Sequence, residues 1–486
     1  MVLRHASAAS ASFIAREAAI AVIAVCVLAS CIGSARSGRT PARPASERDR
    51  SAAEKKGRPT TPELPASDPN ADAGRDDIDA TEIPDLPDPA VEGEAAFSTA
   101  PMDLPVQLGF ATEIEDESGG ALSAFHAALL RAENGEGQAR VVFYGASHTA
   151  SDFLTGYLRQ QLQARFGEAG PGFVLPAEAW RWYRHSGIDF EPSRGWKTLK
   201  VTEEAVKGDF YGLAGAALEA APRRPAFAAL RTRPNGPLSG SAGRFELFLL
   251  KQPKGGQIEI AIDGEKPRRI STGSDKLETA YELIEVADGP HRLEIKAMGN
   301  GPVRIFGVAI ESDKPGVVLD TLGIPGARAR YHLLWNDEIY REHLQRRRPD
   351  LMVLAYGTNE TGDDDVPIES YESELRKVVA RIRETVPGAS CLLVGPSDRP
   401  ERIDKSTLGP RPRTAQLIEV QRRVARDYSC GFFDLVHCMG GPMSMVAWAS
   451  AIPPYGGTDL VHFTRRGYER IGELLLQALL ANYSEW

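Results

Sequence analysis

Five short apolar runs, each followed by a segment with helical spacing, constrain the fold of this chain more than any other feature. The runs that we predict as strands cover residues 141–145, 317–323, 350–357, 390–395 and 431–436. Helices are predicted over residues 152–166, 328–347, 368–385, 413–428 and 464–481. Continuously apolar strands that alternate with helices are typical of a parallel sheet covered on both faces. The sequence therefore predicts an α/β domain on a parallel five-stranded sheet.

A stretch of different periodicity, residues 188–312, interrupts this alternation. Within it, apolar and polar residues alternate in runs such as FELFLLKQ, GQIEIAID and HRLEIKA, separated by KGG, DGE and DGP turns. Alternation with period two between glycine-containing turns indicates antiparallel strands that bury one face. We therefore predict an inserted all-β sandwich module of about eight strands.

The N-terminal segment has the pattern of an export signal. Arg4 and Arg16 precede the apolar run AAIAVIAVCVLAS, which at about 13 residues is too short to span a bilayer. The run ends in LASC, which resembles a bacterial lipobox and would make Cys31 the lipidated first residue of the mature protein. We predict a lipoprotein signal peptide over residues 1–31 and a lipid anchor in the cell envelope; an ordinary cleaved secretory signal is the alternative.

Residues 32–105 are rich in proline, alanine, serine and charged residues, with hardly an aromatic and no periodicity. Such a segment cannot bury enough apolar surface to become ordered, so we predict a disordered tether. A flexible coil of about 70 residues has an r.m.s. reach of roughly 45–50 Å. The chain has a net charge of −9 and no basic stripe with interleaved aromatics, which argues against a nucleic-acid partner.

Three cysteines follow the signal segment. Cys391 begins the apolar run CLLVG, so we expect a small core residue. Cys430 and Cys438 could form a disulfide in an oxidising compartment, and their spacing alone leaves that pairing open. None of the three has zinc-ligand spacing, and we expect neither a metal nor a cofactor.

Several polar or flexible residues follow the predicted strands. Ser147 comes directly after the first strand, Gly326 follows the second, and Asn359 follows the third. Ligands of open α/β sheets bind at this edge, where helix N-termini and backbone amides stabilise negative charge. Each residue could instead have only a structural role, since serine and asparagine cap helices and glycine forms turns.

Asp459 and His462 lie three residues apart, just before the last predicted helix. A loop of that length can bring a carboxylate to one ring nitrogen of the histidine and leave the other nitrogen free. That arrangement is what a general base oriented by an acid requires. Taken alone, the pair could also be half of a metal site, but no third ligand with suitable spacing is evident.

The order serine, glycine, asparagine and Asp-x-x-His resembles that of the SGNH (GDSL-type) hydrolase superfamily. GASH, Gly326, GTNE and DLVH are similar to its sequence blocks, and the resemblance covers residues 140–186 and 315–482. It implies a flavodoxin-like three-layer fold in which Ser147 is the nucleophile, His462 the general base and Asp459 the acid that orients the histidine. The Ser147 N–H, the Gly326 N–H and the Asn359 side chain would form the oxyanion hole.

Two positions depart from the family pattern: Ala146 and Glu360 stand where the family usually or often has aspartate, which puts loop geometry and substrate class in question. His148 adjoins the serine, and we expect it to point elsewhere. Asp152 is expected to be a first-turn helix acid. The run Asp363, Asp364 and Asp365 is expected to be a solvated loop that precedes a helix.

The position of the all-β insertion resembles that in bacterial peptidoglycan O-acetylesterases, which carry a jelly-roll, carbohydrate-binding-like module there. We predict hydrolase segments over residues 106–187 and 313–486, with the module over 188–312 and both of its ends near the active-site rim. Four aromatic residues near the junction could stack on sugar rings, although interdomain packing is the favoured reading: Trp180, Trp182, Tyr183 and Trp196.

We therefore expect a monomeric envelope lipoprotein, anchored through Cys31, that removes O-acetyl groups from peptidoglycan or another polysaccharide. In a Gram-negative cell it would lie at the periplasmic face or the outer membrane. A lipid esterase or lysophospholipase and a polysaccharide O-acyltransferase are enzymatic alternatives, because all three use the same triad. A carbohydrate-binding envelope protein on a degenerate esterase scaffold is the non-enzymatic alternative.

The lipobox resemblance generates the first test. Cys31→Ala should move the expressed protein from the membrane fraction to the soluble fraction, since one acylated residue would be the whole anchor. Cys26→Ala is the matched control, because Cys26 lies in the removed segment. Immunoblots of fractionated cells measure both, and membrane association that survives Cys31→Ala would show that another anchor operates.

Overall fold

The computed structural model describes residues 108–203 and 205–483, which lie within one compact unit, Asp76–Trp486. The predicted signal segment, Cys31 and the predicted tether lie outside the described residues. Within the described ranges, no helix is long and apolar enough to cross a membrane.

In the described part of the chain the α-helices are short to medium in length. Their bounds are α1 (Ser123–Glu133), α2 (Ser147–Ala150), α3 (Phe153–Phe166), α4 (Asp337–Arg347), α5 (Ile368–Thr385), α6 (Pro412–Asp427), α7 (Leu435–Met439), α8 (Ser444–Ser450) and α9 (Arg465–Leu480). Short 3-10 helices cover Lys207–Asp209, Ala329–Leu333 and Glu360–Gly362.

The strands of the same ranges form the parallel sheet and the inserted module. They are β1 (Gln138–Gly145), β2 (Gly172–Val174), β3 (Ile188–Phe190), β4 (Trp196–Lys200), β5 (Ala216–Ala220), β6 (Ala226–Thr232), β7 (Ala242–Lys251), β8 (Gln257–Ile262), β9 (Arg268–Ser271), β10 (Glu278–Gly289), β11 (Arg292–Ala297), β12 (Val303–Glu311), β13 (Gly316–Gly323), β14 (Leu351–Ala355), β15 (Ser390–Val394), β16 (Glu401–Arg402), β17 (Leu408–Gly409) and β18 (Gly431–Phe433).

The central sheet has the order β13-β1-β14-β15-β18, and all four neighbouring pairs are parallel. Its first strand along the chain lies between the second and the third, which is the flavodoxin-like order. The predicted α/β fold with a parallel five-stranded sheet is confirmed. The single helix predicted over 328–347 is instead a 3-10 turn followed by α4, because the Asn336 side chain caps a new helix by accepting from the Ile339 N–H.

Helices cover both faces of this sheet. Successive side chains of β1 point to opposite faces. Val141 and Phe143 pack in the cluster that includes residues of α1, α3 and α9. Val142 and Tyr144 pack in the cluster that includes residues of α4, α5 and α6. Continuous apolar character along β1 is therefore the consequence of burial on both faces, as in other parallel sheets.

The insertion forms two antiparallel sheets. The described strands from β3 to β12 lie in sheets of order β10-β7-β12-β5-β4 and β3-β6-β11-β8-β9, somewhat more strands than the eight expected. Apolar side chains of both sheets share one buried cluster, which includes Leu247 and Ile260. β2 precedes the predicted start of the module and nevertheless pairs with β12, so the pairing extends into the first hydrolase segment.

The module and the α/β domain share buried side chains. The Tyr144 hydroxyl of the central sheet donates to the Leu213 carbonyl at 2.8 Å. His343 of α4 is fully buried, and its ring lies 5.1 Å from that of Phe248 and 5.2 Å from that of Phe306. Separating the two parts would therefore expose aromatic surface, and they are expected to unfold together.

The two ends of the insertion lie at opposite edges of the central sheet. At the start, the Ser186 N–H donates to Asp152, just beyond the carboxyl end of β1, at 2.6 Å. At the end, Gly316 begins β13 beside Gln138, the first residue of β1. The expectation that both ends lie at the active-site rim is wrong for the second end. Two parallel strands must begin at the same edge, so the chain has to return there before β13 starts.

The disulfide is not the Cys430–Cys438 pair that the sequence left open. Cys391 and Cys430 form the disulfide, and Cys438 is free and buried. Cys391 lies on β15 and Cys430 directly precedes β18, whose pairing with β15 places Leu392 opposite Gly431. The partner of Cys430 is therefore decided by the neighbouring strand rather than by distance along the chain. Burial raises the pKa of the Cys438 thiol to about 12.

A buried arginine joins the sheet, α4 and the module. The Arg347 guanidinium donates to both carboxylate oxygens of Asp320, at 2.7 and 2.8 Å, and lies 2.6 Å from Glu311. Burial by itself would raise the pKa of Glu311, but Arg347 and neighbouring arginines hold it well below its ordinary value. Glu311 therefore contributes stability that is present above its unfolded pKa and is lost as pH falls through the lower folded value.

Arg347→Met should destabilise the protein by about 3–5 kcal/mol at pH 7, since it leaves two carboxylates buried without their main partner. The loss should be smaller below pH 4, where wild type also loses the Glu311 contribution. Arg346→Met is the matched control, because its ion pair with Glu246 is partly exposed and should contribute at most about 1 kcal/mol. Urea unfolding at both pH values measures the free energy of unfolding of the two variants. If Arg347→Met and Arg346→Met lose equal stability at pH 7, the buried ion pair does not stabilise the fold as described.

Candidate active site

Ser147 begins α2 immediately beyond the end of β1. The turn fits closely onto the sheet at two glycines. A Cβ on Gly145 would lie 2.1 Å from the Thr149 Oγ1, and a Cβ on Gly323 would lie 2.2 Å from the Ala150 nitrogen. Only glycine at these strand ends lets the short helix pack this closely, which explains the strand-to-helix turn read from the sequence.

A hydrogen-bonded line of three side chains lies at this turn. The His462 Nε2 is 2.9 Å from the Ser147 Oγ, and the His462 Nδ1 is 2.7 Å from the Asp459 Oδ2. The histidine and aspartate side chains are only 12% and 13% exposed. The structure therefore brings together the three residues that the sequence singled out, across more than three hundred positions of chain.

The local fold of the Asp-x-x-His loop explains its spacing. The Asp459 Oδ1 accepts from the Val461 and His462 backbone N–H groups, both at 2.9 Å, which leaves Oδ2 for the imidazole. Burial alone would raise the pKa of Asp459, but the bonds from His462 and from these amides lower it to about 2. The carboxylate is therefore ionised at neutral pH and holds a proton on Nδ1, leaving Nε2 as an acceptor.

The three residues predicted for the oxyanion hole lie on adjoining loops. Ser147 is the first residue of α2, so its N–H has no partner within that helix. Gly326 has a φ of 72°, in the left-handed region, and its loop is tied to β1 by a 3.1 Å bond from the Ile324 N–H to the Gly145 carbonyl. The Asn359 Nδ2 donates to the Ala327 carbonyl at 2.9 Å, which leaves its second amide hydrogen for another acceptor.

Glu360 is a buried organiser of these loops that the sequence did not identify as such. Its Oε1 accepts from the Ala329 N–H at 2.8 Å and its Oε2 from the Gly357 N–H at 3.0 Å. One side chain thus joins the loop of Gly326 to the loop of Asn359. Burial raises the pKa of Glu360, against the lowering effect of its backbone bonds. The departure from aspartate at this position gives a longer carboxylate that spans both loops.

His148 points away from the serine, as expected. Its Nδ1 is 2.9 Å from the Tyr468 hydroxyl and its Nε2 is 3.2 Å from the Ser397 Oγ, so both ring nitrogens are engaged. Burial, together with the neighbouring His462, lowers the pKa of His148 to about 3. The ring is therefore neutral at physiological pH and links the serine turn to the last helix.

Two aspartates pair with arginines, which the sequence did not predict. Asp152 directly precedes α3 rather than lying in its first turn, whereas Asp363, Asp364 and Asp365 lie in the predicted loop before α5. Asp152 is buried and pairs with Arg159 at 2.8 Å, and Arg159 holds its pKa well below the ordinary range although burial would raise it. Asp363 is not simply solvated, because both of its carboxylate oxygens accept from Arg328, at 2.7 and 2.6 Å. Arg159 lies seven residues after Asp152 on the helix that follows it, whereas Arg328 lies 35 residues before Asp363 on another loop.

The aromatic residues at the junction serve mainly as packing. Trp180 and Tyr183 pack against a small buried cluster, and Trp196 packs against another. The Tyr183 hydroxyl accepts from the Leu175 N–H at 2.8 Å. These contacts support interdomain packing rather than an open sugar platform for the three residues. Within the described ranges, no group of three His, Cys, Asp or Glu side chains is placed to hold a metal ion.

A hydrogen-bonded Ser-His-Asp line at the carboxyl edge of a parallel α/β sheet is the arrangement that serine esterases use. Residues 298–470 match the model of the GDSL-like Lipase/Acylhydrolase family. This match and the geometry of the site together support an esterase that has a GDSL-like acylhydrolase domain. No curated protein sequence matches the chain.

The fold is similar to that of a solved peptidoglycan O-acetylesterase, with a TM-score of 0.64 and 23% identity over 77% of this chain and 99% of that chain. A family two carbohydrate esterase from Cellvibrio japonicus matches at 12% identity over 60% of this chain and 99% of that chain, with a TM-score of 0.24. An acetyl xylan esterase matches at 18% identity over 33% and 80%, with a TM-score of 0.26. The first likeness establishes the fold; the other two TM-scores are too low to carry an argument.

Glu360→Gln should lower both stability and esterase turnover. The substituted amide can accept only one of the two backbone N–H bonds and turns its own N–H₂ toward the other, which costs about 1–3 kcal/mol. Glu369→Gln, an exposed change at the start of α5, is the control and should alter neither property. Thermal melts and p-nitrophenyl acetate hydrolysis test this, and wild-type behaviour of Glu360→Gln would show that Glu360 does not organise the loops.

Proposed function

We propose that this esterase removes O-acetyl groups from peptidoglycan, or from a related acetylated cell-wall glycan, through a covalent acetyl-serine. The observation that carries the proposal is the line Ser147–His462–Asp459, with its 2.9 and 2.7 Å contacts. Acyl transfer requires a nucleophile that is hydrogen-bonded to a general base, and an ionised carboxylate that orients the base. The lipid anchor at Cys31 and a position in the cell envelope are part of the same proposal.

In the first half of the reaction, the His462 Nε2 takes the proton of the Ser147 hydroxyl as its oxygen attacks the acetyl carbonyl carbon. Asp459 stabilises the imidazolium that forms. The carbonyl oxygen becomes an oxyanion, and the N–H groups of Ser147, Gly326 and Asn359 are proposed to stabilise it. Collapse of the tetrahedral intermediate breaks the bond to the sugar oxygen, which takes the proton from His462 and leaves as the free hydroxyl.

In the second half, water replaces the sugar. His462 removes a proton from that water as its oxygen attacks the acetyl carbon on Ser147. The new intermediate collapses, the proton returns to the Ser147 oxygen, and acetate leaves. Each proton that His462 accepts is given back within the same half-reaction, so one histidine serves both halves.

The substrate class is supported by the architecture around the triad. The likeness to a peptidoglycan O-acetylesterase extends over 99% of that chain, and therefore includes a counterpart of the inserted module rather than the sheet alone. An acyltransferase would use the same triad with a sugar hydroxyl in place of water. The fate of the acetyl group therefore distinguishes the two reactions.

Ser147→Ala should lower kcat on p-nitrophenyl acetate and on O-acetylated peptidoglycan by about 10⁴–10⁶, the usual cost of losing a triad nucleophile. Its melting temperature should stay close to that of wild type, because Ser147 is a surface-accessible helix residue. Ser151→Ala, on the next turn, is the matched control. Activity within tenfold of wild type would remove Ser147 from the mechanism.

The released product tests the proposed reaction itself. Wild type should release free acetate from O-acetylated peptidoglycan, measured enzymatically, and should form an acetylated Ser147 detectable by mass spectrometry after a rapid quench. Transfer of acetyl to an added oligosaccharide, without free acetate, would show an acyltransferase. Activity confined to long-chain esters would show a lipid esterase.

Asn359→Ala should lower kcat by roughly 10²–10³ with little change in KM, since an oxyanion donor acts in the transition state. The loss of its bond to Ala327 could also loosen the loop, so the melting temperature is measured in parallel. Asn300→Ala, in an exposed turn of the module, is the control. A rise in KM at unchanged kcat would make Asn359 a binding residue instead.

A further inference from the structure

Three arginines from two separate elements contact aromatic rings of the segments that adjoin the triad. Arg184 belongs to the segment between β2 and β3, whereas Arg465 and Arg466 are the first residues of α9. All three side chains are exposed. The Arg184 Cζ lies 4.6 Å from the centroid of the Phe153 ring, and the Arg465 Cζ lies 5.9 Å from the same centroid.

A chain of side-chain contacts connects this cluster to the turn that carries the nucleophile. The Phe153 ring stacks on that of Tyr468 at 5.8 Å, and the Tyr468 hydroxyl is 2.9 Å from His148, which directly follows Ser147. Arg466 lies only four positions after His462.

Arg466 is also held against the loop that leads into Asp459. Its guanidinium lies 5.0 Å from the centroid of the Tyr455 ring. Tyr455 belongs to the same loop as Gly456, which bridges to Phe463 beside the catalytic histidine. The positive charge of the cluster therefore borders the triad on the loop of the base as well as on the turn of the nucleophile.

The positive charge of this cluster is poorly compensated within the protein. Arg465 pairs with the exposed Glu469 at 3.0 Å. Among the described residues, neither Arg184 nor Arg466 forms an ion pair with a carboxylate. Partial desolvation of the guanidinium and the repulsion of Arg465 both lower the pKa of Arg184, against the attraction of Asp152.

The position of the last two arginines is also unfavourable for the fold. Cations in the first turn of a helix oppose the helix dipole, which favours carboxylates there. Two arginines in the first turn of α9, in a chain with a net charge of −9, therefore contribute little to folding. Their charge is available to a ligand, and a guanidinium binds a carboxylate with two parallel N–H bonds.

We propose that Arg184, Arg465 and Arg466 form an anion-binding subsite that holds a carboxylate of the acetylated glycan beside Ser147. This inference rests on the proposed function and narrows it: the preferred substrate is an anionic O-acetylated glycan rather than a neutral one. The carboxylate could belong to an attached peptide or to the sugar itself, since both present the same group. Held there, it positions the acetyl ester at the nucleophile, so its binding raises kcat/KM.

The variant-free test compares two forms of one substrate. O-acetylated peptidoglycan is used as isolated and after its carboxyl groups are converted to neutral amides with carbodiimide and ethanolamine, with acetyl content assayed in both. Wild type should show a kcat/KM about fivefold to twentyfold higher on the native form, the size expected for two partly exposed charge pairs. The difference should shrink as NaCl is raised, because salt screens exposed charges.

Variants then assign the effect to the cluster. In the double variant Arg184→Gln/Arg466→Gln the ratio of native to amidated rates should fall to near one, and Arg184→Lys/Arg466→Lys should restore most of it. Arg348→Gln is the matched control, because this exposed arginine follows α4 near the opposite edge of the sheet, and it should keep the wild-type ratio. Peptidoglycan treated with an amidase loses its peptides and gains a free carboxylate on each sugar from which a peptide was cleaved. A ratio that is lost on this material indicates a peptide carboxylate, and a retained ratio shows that the subsite accepts a sugar-borne carboxylate.

The outcomes separate this inference from the proposed function. Equal wild-type rates on native and amidated peptidoglycan, or an unchanged ratio in the glutamine double variant, would overturn the subsite and leave the esterase proposal intact. Pelleting of Ser147→Ala with insoluble peptidoglycan gives a readout that needs no turnover. If Ser147→Ala binds native peptidoglycan better than the amidated form, but wild type deacetylates neither, the proposed function is overturned and the subsite is supported.

Discussion

The parallel register of the five central strands brings the loops that carry Ser147, Gly326 and Asn359 to one edge of the sheet. Gly145 at the end of β1 is opposite both Gly323 of β13 and Ala355 of β14. Farther along the sheet, Ala355 is opposite Val394 of β15, and Val394 is opposite Phe433 of β18. All five strands thus end on one line, and the loops that follow them meet there although they lie far apart in the sequence.

Polar groups beneath this line hold the loops in place. Glu360 ties the loop of Gly326 to that of Asn359 through two backbone N–H groups. His148 ties the serine turn to α9 and to Ser397. A buried polar group that finds all its partners stabilises one arrangement, whereas an unsatisfied one is costly, so these side chains select a single loop geometry. The triad is therefore positioned by side chains outside its own hydrogen-bonded line.

The insertion approaches the carboxyl edge of the sheet through its first end. The segment before β3 approaches the carboxyl edge, where the Ser186 N–H reaches Asp152 and the Arg184 side chain lies over Phe153. The other end returns to the amino edge, where Glu311 meets Arg347 in a buried ion pair. The module is thus attached at both edges of the sheet by charged contacts, and shared aromatic packing joins it to the α/β domain between them.

The sequence by itself determined the local and ordered features of this protein. Apolar runs and helical spacing predicted the central strands and most helices, because burial on both faces leaves a continuous apolar pattern. The Asp459–His462 spacing and the chain order of Ser147, Gly326 and Asn359 predicted which residues meet at one edge. Tertiary structure alone decided the Cys391–Cys430 disulfide, the burial of Asp152 against Arg159, the two-loop role of Glu360 and the arginines beside the triad. A sequence pattern indicates whether a residue is buried. It does not give the partner of a cysteine or of a charged residue, because that partner lies on whichever element is adjacent in space. Strand order and crossover direction decide which element is adjacent.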